Sequence, residues 1–286
     1  MPMTRINSKA PVTTAPPEAQ AAALAHRAER IVTDVDGCRV VWRRFGEGQP
    51  VVLLHGGHGS WLHWVRNIEV LAAHRAVWAP DMPGFGESDD IASDLSVMTG
   101  TLVKGIRQLP GCDGAVSLAG FSFGGLVAAN VAASLGTASR LALLGSGGHG
   151  GIRRQQRALL DWRQARDAEA LAGAMRYNLE AFMIADAAKV DAMAMYAHTE
   201  SCRLTRFRSK NISRSGDLRD ALDRFGGEVL LAWGEHDVTA DPVPAIAAMT
   251  QGNPRREGRV ITNAGHWVQY EAHAPVNALL DGWLPK

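Results

Sequence analysis

Residues 118–125 read LAGFSFGG and decide the fold of this chain, because a serine stands between glycines where an apolar run meets a helix-compatible one. The pattern predicts a sharp turn from a strand into a helix, with a strained serine backbone and an accessible hydroxyl. Such a turn needs small residues two positions on either side of Ser122, and Gly120 and Gly124 meet that need. The turn also places the N–H of Phe123 at a helix N-terminus, where it can stabilise a developing negative charge. Ser122 is therefore a candidate nucleophile and Phe123 a candidate oxyanion donor.

The overall composition is that of a globular protein without a charge bias. The chain has 286 residues, of which 46% are hydrophobic, and this size fits one large α/β domain or a core with a smaller insertion. The net charge of +1 provides no basic field for a phosphate backbone. We therefore expect a small-molecule substrate and no nucleic-acid partner, while a homo-oligomer is left open.

Cysteine usage indicates the redox environment. The odd number and wide spacing of the cysteines argue against a disulfide framework and against a cysteine-ligated zinc ion. We therefore expect a reducing, cytoplasmic location and no metal. The three cysteines are Cys38, Cys112 and Cys202.

The N-terminal residues 1–29 are rich in alanine, proline and threonine, and Glu18 and His26 interrupt their only apolar stretch. They lack the apolar region of a secretory signal, so we expect a disordered or weakly helical tail, with a short helix over 18–30. No later stretch approaches the roughly 18 uninterrupted apolar residues of a membrane span. No membrane partner is expected.

Strand-like and helix-like segments alternate along most of the chain. Residues 30–35 and 39–45 flank the turn Asp36-Gly37, which predicts a β-hairpin. Short apolar runs follow that are typical of strands buried on both faces, and segments of helical length, such as 93–109 and 126–135, separate them. The alternation predicts a doubly wound, mostly parallel α/β sheet. The apolar runs are 51–54, 76–79, 115–118, 141–144 and 229–233.

The alternation breaks between residues 147 and 225, where alanine, arginine, methionine and leucine dominate and strand-like runs vanish. Segments such as 152–167 and 189–199 are predicted to be helical. Because this region follows one predicted strand and precedes the next, it should lie over the carboxyl ends of the sheet, where such sheets bind ligands. We therefore expect a core of residues 30–146 and 226–286 with a helical lid at 147–225.

A serine nucleophile needs a base and an orienting acid, and loops after two later strands offer both. Asp237 ends the stretch GEHD that follows the predicted strand 229–233, and His266 lies in the stretch NAGHW that follows residues 259–261. The order along the chain is serine, acid, histidine. A glycine-serine-glycine match arises easily by chance in a chain with 30 glycines, so this ordered context carries the prediction of a catalytic triad.

The elbow and this chain order resemble the α/β-hydrolase superfamily. The stretch HGGHG at 55–59 looks like the oxyanion loop of that family, and the resemblance implies that the N–H of Gly57 acts together with that of Phe123. The stretch DMPGFGES at 81–88 is similar to a proline- and glycine-rich loop common in the superfamily. The resemblance covers about residues 30–286 and implies nucleophilic acyl transfer to water without a cofactor.

Serine at position 122, rather than aspartate, argues against the dehalogenase and epoxide-hydrolase branches. The stretches GHWVQYE at 265–271, GSGG at 145–148 and RNI at 66–68 look most like those of the meta-cleavage product hydrolases. Those enzymes hydrolyse a carbon–carbon bond in vinylogous 1,5-diketones that bear a carboxylate.

The resemblance to the meta-cleavage product hydrolases also implies residues that bind the substrate. Trp267 would lie beside it, and an arginine of the lid, for which Arg203 is chosen by its position, would hold the carboxylate. His58 replaces the usual glycine-proline continuation of the oxyanion loop and is expected to face the pocket.

Three other functions remain open at this point. A carboxylesterase acting on small esters would use the same residues, a lyase would use them without net hydrolysis, and a non-catalytic receptor would bind a small molecule on the same fold. The stretch GSGGHG at 145–150 fits a dinucleotide fingerprint, but it opens the predicted lid rather than the first strand-helix unit. We interpret it as a flexible hinge.

Overall fold

The computed structural model describes residues 15–286, and the first 14 residues of the predicted tail lie outside that range. Its centre is one eight-stranded sheet with the order β1-β2-β4-β3-β5-β6-β7-β8. Strand β2 runs antiparallel to both β1 and β4, and all other neighbouring pairs are parallel. The strands are β1 Glu29–Val35, β2 Cys38–Phe45, β3 Gln49–Leu54, β4 Arg75–Asp81, β5 Val116–Phe121, β6 Ala138–Leu144, β7 Glu228–Gly234 and β8 Arg256–Ile261.

Within residues 15–286, ten α-helices lie on the sheet and in the region between β6 and β7. The expected short helix near the N-terminus is present as α1, and the segment after the candidate nucleophile is α4. The helices are α1 Pro17–His26, α2 Ile68–Ala72, α3 Leu95–Ile106, α4 Phe123–Leu135, α5 Ala168–Asn178, α6 Ala192–Arg203, α7 Leu218–Arg224, α8 Pro242–Thr250, α9 Val268–Glu271 and α10 His273–Trp283.

Two apolar cores, one on each face of the sheet, make the fold doubly wound as predicted. One core joins Leu118 of β5 to helices α3, α4, α7 and α8. The other joins Phe121 of the same strand to α1, α2 and α10. Every residue of β5 is buried, which explains why this strand reads as a continuous apolar run rather than an alternating one.

The region between β6 and α7, residues 145–217, departs in part from the predicted helical lid. Residues 152–167 contain only a short 3₁₀ turn at Trp162–Gln164 instead of a helix. The side-chain amide of Asn178 explains this, because it binds both the N–H and the carbonyl of Leu160, at 2.8 and 2.9 Å, and so satisfies an extended backbone. Helices α5 and α6 are present, and a π-helical turn at Leu179–Met183 follows α5.

The boundary predicted at residue 225 is also too late. Helix α7 packs its Leu218, Ala221 and Leu222 into the core around α4, so it belongs to the sheet's helical layer. We refer to residues 151–217 as the inserted segment. Within residues 15–286, no helix is both long and apolar enough to cross a membrane.

Candidate active site

The elbow has the backbone that its sequence predicts. Ser122 lies between β5 and α4 with φ of 55° and ψ of −118°, a conformation that is costly for a residue with a side chain. A Cβ on Gly124 would lie 2.2 Å from the carbonyl oxygen of His55, and one on Gly120 would lie 2.3 Å from that of Gly124. Both positions therefore require glycine.

The three residues predicted to form a triad are brought together. Nε2 of His266 lies 2.9 Å from Oγ of Ser122, and Nδ1 of His266 lies 2.9 Å from Oδ2 of Asp237. Because an ionised carboxylate only accepts hydrogen bonds, Nδ1 carries the proton and Nε2 is left to accept from the serine hydroxyl. The imidazole is thus oriented as a base toward Ser122.

Asp237 is fully buried, yet it is arranged to stay ionised. Burial opposes its charge, but the nearby His266, its hydrogen bond and the N–H of Thr239 outweigh burial and lower the pKa of the carboxyl. The N–H of Thr239 donates to Oδ1 at 2.7 Å, so each carboxylate oxygen has a donor. The charge of Asp237 can therefore stabilise an imidazolium when His266 takes a proton.

The backbone near Ser122 offers two free donors. Neither the N–H of Gly57 nor that of Phe123 has an acceptor among residues 15–286. Both residues contact the same space, since a Cβ on Gly57 would lie 3.7 Å from Cβ of Phe123. Two unpaired donors beside the Ser122 hydroxyl match the requirements of an oxyanion hole.

Two buried histidines hold the loop that contains Gly57. Nε2 of His55 accepts the N–H of Met82 at 3.0 Å, so its Nδ1 carries the proton and donates to the carbonyl of Gly56 at 2.9 Å. Nδ1 of His63 accepts the N–H of Gly56 at 3.1 Å. Burial lowers the pKa of His55 to about 4 and that of His63 well below its usual value, so both rings are neutral. Neutral rings can accept as well as donate, which these bonds require.

The loop of His266 is tied to the inserted segment by the buried carboxylate of Glu271. Oε2 accepts the N–H groups of Gly265 at 2.6 Å and Ala185 at 3.1 Å, and Oε1 accepts that of Asp186 at 2.8 Å. The ring of Phe182 contacts that of His266 edge to face, with centroids 5.3 Å apart. The position of the histidine is therefore coupled to the wall of the cavity.

A cavity of about 600 Å³ opens onto Ser122 and Gly57, and residues of the inserted segment form most of its wall. His58 lines it, as expected, with a left-handed φ of 53°. Burial lowers the pKa of His58, and the neighbouring charges of Arg163 and Lys210 lower it further. His58 is therefore a neutral polar group in the cavity.

The cavity is strongly cationic. Its lining contains four basic side chains but only one acidic one, Asp161. None of the four basic groups forms an ion pair with an acid in the described part of the chain. Burial lowers the pKa of Arg153, the nearby Arg214 lowers it further, and the charge of Asp237 opposes both. The basic residues are Arg153, Arg163, Lys210 and Arg214.

The structure places two residues that were predicted to contact the substrate outside the lining of the cavity. Trp267 is fully buried away from the cavity, where its ring stacks on Tyr270 at 4.2 Å and its Nε1 donates to the carbonyl of His63 at 3.0 Å. Arg203 ends α6 with an exposed side chain that pairs with Glu200 at 3.4 Å. The ring of Trp267 is packed in the core, and the position of Arg203 at the end of α6 directs its side chain toward solvent.

The sequence did not identify the side chains of the inserted segment that line the cavity and contact His266. Phe182 packs on His266 and lines the cavity, and Arg163 and Lys210 line it as well, whereas Trp267 and Arg203 do not. An arginine-rich composition of the inserted segment was visible, but nothing in it distinguishes arginines that face the cavity from those in solvent. The predicted flexible hinge is packed as well, since the N–H of Gly147 donates to the carbonyl of Ser122 at 2.8 Å.

No cluster of histidine, cysteine and carboxylate side chains suited to a metal ion exists among residues 15–286.

A family model for the alpha/beta hydrolase family matches residues 51–279, and the chain therefore belongs to this family. The resemblance seen in the sequence is confirmed at that level, and the protein is a hydrolase of this fold.

Two curated relatives match most of the chain. The dihydrolipoyllysine-residue acetyltransferase component of the acetoin cleaving system of Pseudomonas putida is 30% identical over 263 residues, covering 88% of this chain and 68% of the relative. The 2-hydroxy-6-oxo-6-phenylhexa-2,4-dienoate hydrolase of Burkholderia cepacia is 26% identical over 258 residues, covering 82% and 87%. Among solved structures, the esterase RhEst1 from Rhodococcus sp. ECU1013 shares the fold, with a TM-score of 0.74, 21% identity, and coverage of 90% of this chain and 98% of that one.

Proposed function

We propose that this protein is a serine hydrolase that transfers an acyl group from a small, negatively charged substrate to water. The observation that carries the proposal is the chain of hydrogen bonds from Ser122 through His266 to Asp237, beside two unpaired N–H groups. This arrangement supplies a nucleophile, a base, an orienting acid and an oxyanion site within one cavity.

The proposed mechanism has two halves. His266 takes the proton of Ser122 as Oγ attacks the substrate carbonyl, and the N–H groups of Gly57 and Phe123 bind the resulting oxyanion. Collapse expels the leaving group, which receives the proton from His266, and leaves an acyl-serine. Water, deprotonated by His266, then attacks the acyl-serine and releases the acid with the free serine.

The lining of the cavity supports an anionic substrate. Its four basic side chains outnumber its single acid, and none of the four is paired with an acid within residues 15–286, so their positive potential attracts an anion. A substrate carboxylate would neutralise part of this charge, and arginine can bind it through two parallel hydrogen bonds. Apolar side chains such as Leu159, Leu160 and Phe182 complete the wall and suit a small apolar body.

Two bond types fit this mechanism. An ester is the simpler one, because attack, collapse and hydrolysis need only the groups described above. Hydrolysis of a carbon–carbon bond in a vinylogous diketone is the second candidate, and the match to a dienoate hydrolase over 82% of this chain favours it. In that case the leaving carbanion must be protonated as the bond breaks.

The experiment that tests the proposal compares the wild-type protein with Ser122→Ala. Both are assayed on a series of p-nitrophenyl esters and on a dienoate ring-cleavage product, with labelling by a fluorophosphonate as an independent readout. Ser134→Ala is the matched control, because Ser134 is an exposed serine on the helix that begins at the elbow.

Turnover and labelling that are lost only in Ser122→Ala would support the proposal. Activity on the dienoate would assign carbon–carbon bond hydrolysis, and activity confined to esters would assign a carboxylesterase. A wild-type protein that neither labels nor turns over any substrate would refute the proposal and favour a receptor or a lyase.

A further inference from the structure

Ser209, in the inserted segment, presents a hydroxyl without a protein partner to the same cavity as Ser122. The residue is 3% exposed, and its hydroxyl makes no hydrogen bond with any group of residues 15–286. Only its carbonyl is engaged, accepting the N–H and the hydroxyl of Ser213, each at 2.9 Å. Buried hydroxyl groups normally have a partner, so this one is available to a ligand.

The Ser209 hydroxyl lies directly beside Gly57, one of the two proposed oxyanion donors. A Cβ built on Gly57 would lie only 2.4 Å from Oγ of Ser209. The serine oxygen therefore occupies the space that a side chain at position 57 would take. The same built atom lies 3.7 Å from Cβ of Phe123, so Ser209 and Phe123 both approach Gly57 on the side of its α-carbon to which a side chain would attach.

The backbone around Ser209 is held against the core, so its side chain is positioned before a substrate binds. The N–H of Phe207 donates to the carbonyl of Gly84 at 3.0 Å. The ring of Phe207 contacts the rings of Phe123 and Phe85, with centroids 5.4 and 5.7 Å apart. A fixed donor stabilises a developing charge without a cost of reorganisation at the moment of reaction.

We propose that Oγ of Ser209 donates a third hydrogen bond to the oxyanion formed when Ser122 attacks the substrate. This role rests on the proposed function and adds a side-chain donor to the two backbone donors of Gly57 and Phe123. Unlike those donors, it can be removed by substitution.

The test measures Ser209→Ala on a p-nitrophenyl ester. We expect kcat to fall on the order of 10²-fold with little change in KM, because the bond forms in the transition state and not with the bound ester. The affinity for a boronic acid, which forms a tetrahedral adduct on a serine, should fall by a similar factor, whereas affinity for a carboxylate product should not. Ser209→Cys, which keeps a weak donor, should retain intermediate activity.

Thr205→Val is the matched control, since it removes a hydroxyl of the same segment that donates to the carbonyl of Ser201 at 2.7 Å. Its kcat should stay at the wild-type value. An unchanged kcat in Ser209→Ala would overturn the proposal, and so would a rise in KM alone, which indicates binding of the ground state. A wild-type protein that fails to react with a fluorophosphonate would instead refute the proposed function itself.

Discussion

Replacement of Asp237 by asparagine tests the orientation of the base most directly. The carboxylate is fully buried, and its Oδ2 accepts the proton on Nδ1 of His266 at 2.9 Å. The amide has nearly the same shape and can still accept the N–H of Thr239 through its oxygen, as Oδ1 does now at 2.7 Å. Its NH₂ group would then face Nδ1, which must become an acceptor.

The consequence for catalysis follows from the two tautomers of imidazole. With Nδ1 accepting, the proton moves to Nε2, which then donates toward Oγ of Ser122 and can no longer take its proton. The variant also loses the negative charge that stabilises the imidazolium. A change of this kind lowers kcat by about 10⁴-fold, equivalent to roughly 5 kcal/mol in the barrier.

The assay is kcat for a p-nitrophenyl ester at neutral pH, together with a melting temperature to show that the variant is folded. Asp241→Asn is the control, because Asp241 lies four residues further along the same loop and its side chain is half exposed. A loss of less than tenfold in Asp237→Asn would refute the assignment of Asp237 as the orienting acid.

Four further outcomes are expected. The pKa of Asp237 is lowered in the fold, so its stabilising charge is fully present above the ordinary carboxyl pKa of about 3.9 and is lost as the pH falls through the lowered value. The difference in unfolding free energy between wild type and Asp237→Asn should therefore shrink as the pH falls below about 3.9 in denaturant titrations. Arg163→Gln should raise KM for an ester that carries a carboxylate by about tenfold or more while leaving KM for a neutral ester of the same size unchanged, and equal effects on both would contradict the anionic substrate. Glu271→Gln replaces one carboxylate oxygen, which accepts an N–H, with an NH₂ group that faces this N–H. The loop that holds His266 should loosen, so both kcat and the melting temperature should fall. An unaltered kcat would contradict the coupling between Glu271 and the position of His266. Arg75→Met should lower the unfolding free energy by about 3–5 kcal/mol in denaturant titrations, because the buried guanidinium donates to the side chain of Asp281 and to carbonyls of residues 281–285. A loss below about 1 kcal/mol would show that these acceptors find other partners.

Much of the fold could be predicted from the sequence because each strand has its own local pattern of apolar residues. The run ending at Phe121 is apolar throughout because β5 is central and both of its faces are covered. The hairpin turn at Asp36-Gly37 and the helix after the elbow are encoded by adjacent residues. Residues 152–167 show the limit, since the amide of Asn178, distant in sequence, stabilises an extended backbone there.

The sequence by itself determined the elbow and the chain order of Ser122, Asp237 and His266, because turn chemistry and the ends of parallel strands are local properties. Which side chains line the cavity was decided only by tertiary structure. Trp267 directly follows His266 and still lies in the core, whereas Ser209 and Gly57 meet across more than half of the chain. Such contacts depend on how an irregular segment is held against the sheet, and no spacing between neighbouring residues encodes that.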